Sequence, residues 1–212
     1  MQTITKMAIG LTPDDNTRIE LSAALSDGKA AYGDRGVDGS KFRRENISLM
    51  FDKKHLSPLL ERIEARLYYN YVDHVMDNYS MRQNANTMMS YAAMNPDRTT
   101  QGGRLAATLA LTDNVSVTTG LDFKEDTHRN RMTMMKPSAA AADTYKQLAY
   151  QKDMRLTQFG LFAEGRYTLH DTQRVIAGVR TDWHEATDYR STASRTDKRT
   201  LPSGFARYES DY

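Results

Sequence analysis

The stretch Ile63–Met81, IEARLYYNYVDHVMDNYSM, decides the fold. Side chains two apart in an extended strand point the same way. Ile63, Ala65, Leu67, Tyr69 and Tyr71 therefore share one face. Glu64, Arg66, Tyr68, Asn70, Val72, His74 and Met76 share the other. The first face is apolar enough to lie against lipid. The second ends on an imidazole and a thioether side by side, just before a polar, methionine-rich segment.

The same alternation recurs in both directions from this stretch. Upstream, Met7, Ile9 and Leu11 lead into TPDDNT (12–17), a compact turn in which proline fixes φ and Asp and Asn bond back to the backbone. Ile19, Leu21, Ala23 and Leu25 then complete a hairpin. A Gly- and Asp-rich loop (26–42) precedes a third strand carrying Ile47, Leu49 and Phe51, and DKKHLSPL (52–59) connects it to the opening stretch. Downstream, a long polar segment is expected over 77–101. A strand with Leu105, Ala107, Leu109 and Leu111 follows, then TDN (112–114), then one with Val115, Val117, Thr119, Leu121 and Phe123. A second long loop is expected over about 128–152, with the alanine run of PSAAAAD (137–143) read as loop. Phe159 to Tyr167, LHDTQ (169–173) and Val175 to Trp183 form another hairpin, and LPSGFARYESDY begins a ninth strand.

Connections thus alternate short and long. A soluble sandwich spaces its strands more evenly, whereas an outer-membrane barrel has short periplasmic turns and long extracellular loops. Strands of about ten residues match the roughly 9–11 needed to cross a bilayer. On the apolar face, Tyr69, Tyr71, Phe123, Phe159 and Trp183 come near the loop ends, and Phe51 and Tyr167 near the turn ends. That is the pair of aromatic girdles of a membrane barrel. The fold expected is an all-β, antiparallel transmembrane barrel segment.

Composition agrees. Mean hydropathy is −0.69, and no apolar run approaches the length of a membrane helix; in a barrel every second residue faces water, so neither opposes a membrane position. Net charge is +2, which excludes a nucleic-acid binder built on a dense basic patch. There is no cysteine, hence no disulfide framework and no thiolate metal site in this chain. MQTITKMAIG lacks the basic start and apolar stretch of a signal peptide, so the expectation is a chain truncated from a longer one. Methionine is abundant, at twelve residues, many of them in polar segments where gap-filling in a core does not explain them.

The run YYNYVDHVMDNYSMR (68–82) resembles the TonB-dependent copper receptor family of Gram-negative outer membranes, and PSGFARYE (202–209) is similar to a barrel segment of the same family. The resemblance covers residues 1–212. It implies about nine strands of a plugged barrel of the 22-stranded kind, with the plug and the C-terminal strands outside this chain. It further implies import of copper, energised by the TonB complex through the missing plug, by a monomer embedded in outer-membrane lipid and not acting as an enzyme. In that family a His-x-Met pair on the barrel wall and a Cys-x-x-x-Met pair from the plug hold the ion. The first pair maps onto His74 and Met76; the second has no counterpart here.

Ligand chemistry agrees, since thioether sulfur is soft and favours Cu(I) while imidazole suits copper in either state. Met81, Met88, Met89, Met94, Met132, Met134 and Met135 are either auxiliary sites that gather copper or loop residues packed on one another, and His128 is a further auxiliary ligand. Three other readings stay open. A receptor for a siderophore or other organic ligand would use the inward Arg66, Arg166 and Arg180. A small barrel enzyme would explain Tyr208 and Tyr212 as an aromatic ending, though no Ser/His constellation accompanies them. A soluble all-β binding module is the third.

Overall fold

A computed structural model describes residues 2–82, 90–190 and 195–210. Nine strands form one antiparallel sheet whose spatial order is the order of the chain, with β1 and β9 at its edges. They are β1 (Gln2–Asp14), β2 (Thr17–Gly28), β3 (Asp38–Lys54), β4 (Leu60–Asp77), β5 (Tyr91–Thr112), β6 (Val115–Lys136), β7 (Gln151–His170), β8 (Gln173–Asp188) and β9 (Arg195–Ser210). A short helix α1 (Ala139–Asp143) and a 3-10 turn (Thr144–Gln147) lie between β6 and β7. The all-β expectation holds. Met88, Met89 and Tyr212 lie outside the described residues.

At one end of the sheet the hairpins are tight. The Asp14 carboxylate accepts from the N–H of Asn16 (2.9 Å), the Thr17 hydroxyl (2.8 Å) and the Lys53 ammonium (2.8 Å), closing the first turn and pinning it to β3. The longer connections all leave from the other end.

Almost nothing apolar is buried: among the described residues only Val75, Ala93, Ala106, Ala142, Tyr145 and Ile176. Leu21, Ile47, Leu67, Leu105, Leu161 and Val179 stand on one face between 44 % and 67 % exposed. Covering a Leu or Val side chain is worth about 1.5–3 kcal/mol, so a whole bare face of them calls for an apolar cover.

The strands are longer than the sequence pattern suggests. β5 and β6 each run 22 residues, about 70 Å at roughly 3.3 Å per residue, against a hydrocarbon layer of about 30 Å. The segments read as loops over 77–101 and 128–152 are therefore strand in part, over 91–101 in β5 and 128–136 in β6, and Met94, His128, Met132 and Met134 lie on these two strands. Toward the long-loop end of these strands polar residues appear on both faces. The two-residue apolar period disappears there although the backbone ladder continues. The alanine run is a helical turn because the Ser138 hydroxyl accepts from the N–H of Ala141 (3.1 Å), capping it.

Above the girdle, the face that carries the apolar residues lower down is closed by protein. Residues 138–150 fold back over β4–β6. The Thr133 hydroxyl donates to the Ala142 carbonyl (2.5 Å), the Tyr79 hydroxyl to Asp143 (3.1 Å), and Tyr145 packs on Val75 and Ala93. Beneath this cover lies a buried polar layer of Asp73, Asn95 and Asp97. Arg129 grips the Asp97 carboxylate in a fork (2.9 and 2.5 Å), and Lys41 pairs with Asp73 (2.5 Å).

Candidate metal site

His74 and Met76 lie on the opposite, polar face of β4, three and five residues beyond the girdle tyrosine Tyr71. Strand register sets their neighbours. Met76 is opposite Met94 of β5, and Met94 opposite Met132 of β6. Side chains directly opposite on neighbouring strands have Cβ atoms about 4.5–5.5 Å apart, so the three thioethers form a row across the sheet. Met94 and Met132 are 41 % and 44 % exposed, open toward the space the polar face encloses.

His74 is one step below that row. Its ring stacks on Phe42, opposite it on β3, with centroids 4.6 Å apart and planes 24° from parallel. The Phe42 ring has room because residue 39 is glycine: a Cβ there would come within 2.1 Å of it. Nδ1 and Nε2 are the only polar atoms of an imidazole, and Nε2 is buried with no hydrogen-bond partner among the described residues. Burial, opposed by the nearby Asp73 carboxylate and reinforced by Arg44, lowers the imidazole's proton affinity below the usual histidine range. The ring is therefore neutral at pH 7, the form in which an imidazole ligates metal.

His128 has different surroundings. The β6–β7 register shifts between His128 and Arg129, and the bulge brings Asp153 beside the ring. Nδ1 and the carboxylate are 2.5 Å apart. Directly opposite His128 is Met154, a thioether whose partnership is invisible in the sequence because His128 begins the apparent loop and Met154 falls between that loop and the strand read from Phe159. Met81, Met134 and Met135 lie apart from the row at the strand ends, with Met135 81 % exposed in the left-handed region (φ 52°). The remaining candidate residues are occupied elsewhere or scattered. Arg180 is held by Asp122 (2.7 and 2.9 Å) and Asp182 (2.5 Å), so it is no free anion receptor. Among the described residues no three His, Cys, Asp or Glu side chains converge on a metal-sized gap.

The sheet topology, the bare apolar face and the tight and long ends agree with comparisons to known proteins. The family profile described as "TonB dependent receptor-like, beta-barrel" matches residues 5–211. The chain belongs to the TonB-dependent receptor β-barrel family. That places it in the outer membrane of a Gram-negative bacterium. The structure is similar to that of the copper transporter OprC (TM-score 0.88, 40 % identity), covering 100 % of this chain and 34 % of that one. It shares its fold with the FrpB iron transporter of Neisseria meningitidis in its F5-1 variant apoprotein form (TM-score 0.65, 15 % identity, 97 % of this chain and 33 % of that one). The alcaligin outer-membrane receptor FauA of Bordetella pertussis shares it as well (TM-score 0.61, 13 % identity, 99 % and 33 %). The chain thus spans about a third of the length of the solved structures it matches. None of the curated proteins compared with the chain matches it.

Proposed function

We propose that this domain is the wall of an outer-membrane receptor that imports copper, and that His74 and Met76 hold the ion on the lumen face near the extracellular rim. The observation that carries the reading is the buried, unpartnered Nε2 of His74 two residues from a thioether. A buried imidazole nitrogen without a partner costs roughly 1–3 kcal/mol, a cost that ligation of a metal removes. The donor set selects the metal: a neutral imidazole and thioethers suit copper, whereas siderophore-bound iron is wrapped in oxygen. Likeness to a copper transporter at 40 % identity over the whole chain points the same way. The likeness to iron and siderophore receptors, at 15 % identity or less, extends to the fold alone.

In this reading Met94 and Met132 extend the site sideways from Met76 along the row, and Met81, Met88, Met89, Met134 and Met135 offer further thioethers at the rim. His128 is an auxiliary ligand. The plug, lying outside this chain, completes the coordination sphere and receives the pull of the TonB complex. The reaction is uptake without bond making in the cargo.

The test is the metal content of the full-length receptor, purified in detergent from copper-supplemented cells, beside its His74→Ala/Met76→Ala variant. The expected result is about one copper per receptor in the parent and little in the variant. Equal copper in both, or none in either while an iron chelate is retained, would overturn the reading in favour of another cargo.

A further inference from the structure

From Arg62 onward the pairing of β4 with β5 is unbroken except at His74 and Val75. Its register runs from Val72/Arg98 and Asp73/Asp97, skips two positions, and resumes unshifted at Met76/Met94 and Asp77/Ala93. The skipped residues of β5 are Asn95 and Pro96. The N–H of Asn78 donates to the carbonyl of Ala92 (3.4 Å), which fixes the phase of the ladder. Hydrogen-bonded pairs recur at every second residue of an antiparallel pair, here at Asn78/Ala92, Met76/Met94 and His74/Pro96. Proline has no N–H to give, so the His74 carbonyl loses its ladder donor. The nitrogen of Pro96 faces β4, and its pairing with Asn130 on β6 is undisturbed.

The missing bond is replaced from the side. Asn95 Nδ2 donates to the His74 carbonyl (3.0 Å) and to Asp73 Oδ1 (2.6 Å). Asn95 Oδ1 accepts from Arg131 Nε (2.8 Å) and the Tyr150 hydroxyl (2.8 Å). A guanidinium only donates, so Arg131 fixes which end of the amide is oxygen and turns the donor end toward His74. Asn95 is 1 % exposed, so water does not take its place. A proline in a central strand is otherwise confined to edges and bulges. Here it releases one carbonyl of β4, and Asn95 takes that carbonyl over.

We infer that Asn95 is the positioning residue of the copper site: it sets the backbone at His74 in place of the ladder bond that Pro96 forgoes. The inference rests on the copper reading above. It also ties the site to the outer surface, because Asn95 is itself held by Arg131 and Tyr150 beneath the 138–150 cover.

The test is Cu(I) affinity of the full-length receptor in detergent, by competition with a colorimetric chelator, with thermal unfolding measured in parallel. Asn95→Ala weakens copper about ten-fold, as loss of an orienting partner does, while saturating copper still reaches the parent stoichiometry. Asn95→Ala/Pro96→Ala returns an N–H to the ladder and recovers the affinity. Tyr150→Phe takes one bond from Asn95 Oδ1, leaves the donor to His74 in place, and keeps parental affinity whatever it does to stability. Parental affinity in Asn95→Ala, or a loss that Pro96→Ala does not repair, overturns the positioning role while copper capture stands. Should Asn95→Ala not fold, Pro96→Ala/Asn95→Ser carries the same prediction of full affinity, and a weakened site there overturns it. If His74→Ala/Met76→Ala keeps its copper, the site reading itself falls and the inference with it.

Discussion

The rim presents the same two ingredients twice. On β4 an imidazole and a thioether are two residues apart along one strand. On β6 and β7, His128 and Met154 face each other across a hairpin. The surroundings differ. His74 lies against the Phe42 ring with a nitrogen that no described residue satisfies; His128 is clamped by Asp153. Burial outweighs the nearby Asp73 carboxylate, lowers the proton affinity of the His74 imidazole and leaves an acceptor lone pair for a metal. An imidazole beside a carboxylate is oriented, and its Nδ1 is committed. Availability of a ligand is thus set by its neighbours more than by its identity.

The largest expected effect separates the two sites. His74→Ala in the full-length receptor removes most of the bound copper, whereas His128→Ala keeps the stoichiometry near one per receptor. Its cost is a few-fold slower uptake at limiting copper, read by metal content and by short-time uptake in cells. If His128→Ala empties the receptor and His74→Ala does not, the comparison is inverted.

A smaller effect comes from the aromatic shelf. Gly39→Ala places a methyl where the Phe42 ring lies, so the ring swings off His74. Copper affinity falls about ten-fold, the scale of a lost orienting contact, while Gly39→Ala/Phe42→Ala relieves the clash and recovers part of it. Unchanged affinity in the single variant would show that the stacking does not hold His74. Smaller again is the release of His128: Asp153→Asn removes the charge that orients it, and the rate of copper capture at low concentration changes less than three-fold.

How much of this was legible in the sequence depends on height in the membrane. At bilayer level Leu67, Leu105 and Leu161 each stand on one face with polar neighbours on the other, and the tight turns carry Asp14 or TDN. The strand count and order follow from that. Above the girdle the signal fails, because Asp73, Asn95 and Asp97 lie on the face that was apolar below. Thr127, Arg129 and Arg131 continue the same face of β6. With no apolar period, the first part of β5, up to Gln101, reads as loop. His74 and Met76 were visible because they belong to β4, whose alternation runs almost to its end. The partnership of Met76 with Met94 and Met132, the shelf made by Gly39 and Phe42, and the pairing of His128 with Met154 all depend on register. Register is a property of pairs of strands and leaves little trace in one of them.

The least expected effect concerns the clamp that ties the 29–37 loop to the exit of β4. Arg82 forks onto Asp38 (2.8 and 2.5 Å) and also donates to the carbonyls of Tyr32 and Arg35 (both 2.9 Å). The guanidinium, helped by the N–H of Tyr32, holds the Asp38 carboxyl down to about 2 from an ordinary 3.8. A carboxylate with a depressed folded value contributes its stability above the unfolded value and loses it as pH falls through the folded one. The clamp is therefore complete at pH 5, weakens below about 3.8 and opens near pH 2. Pepsin digestion of the full-length receptor between pH 4 and 2 reads this directly: cleavage within 29–37 rises only toward the lower end in the parent, but occurs throughout in Arg82→Gln. Early cleavage in the parent at pH 4 would mean that the loop is held by something weaker than this pair. Copper affinity at neutral pH stays within two-fold in Arg82→Gln, because the clamp joins β3 to the end of β4 beyond Met76 and leaves Phe42 and Asn95 in place.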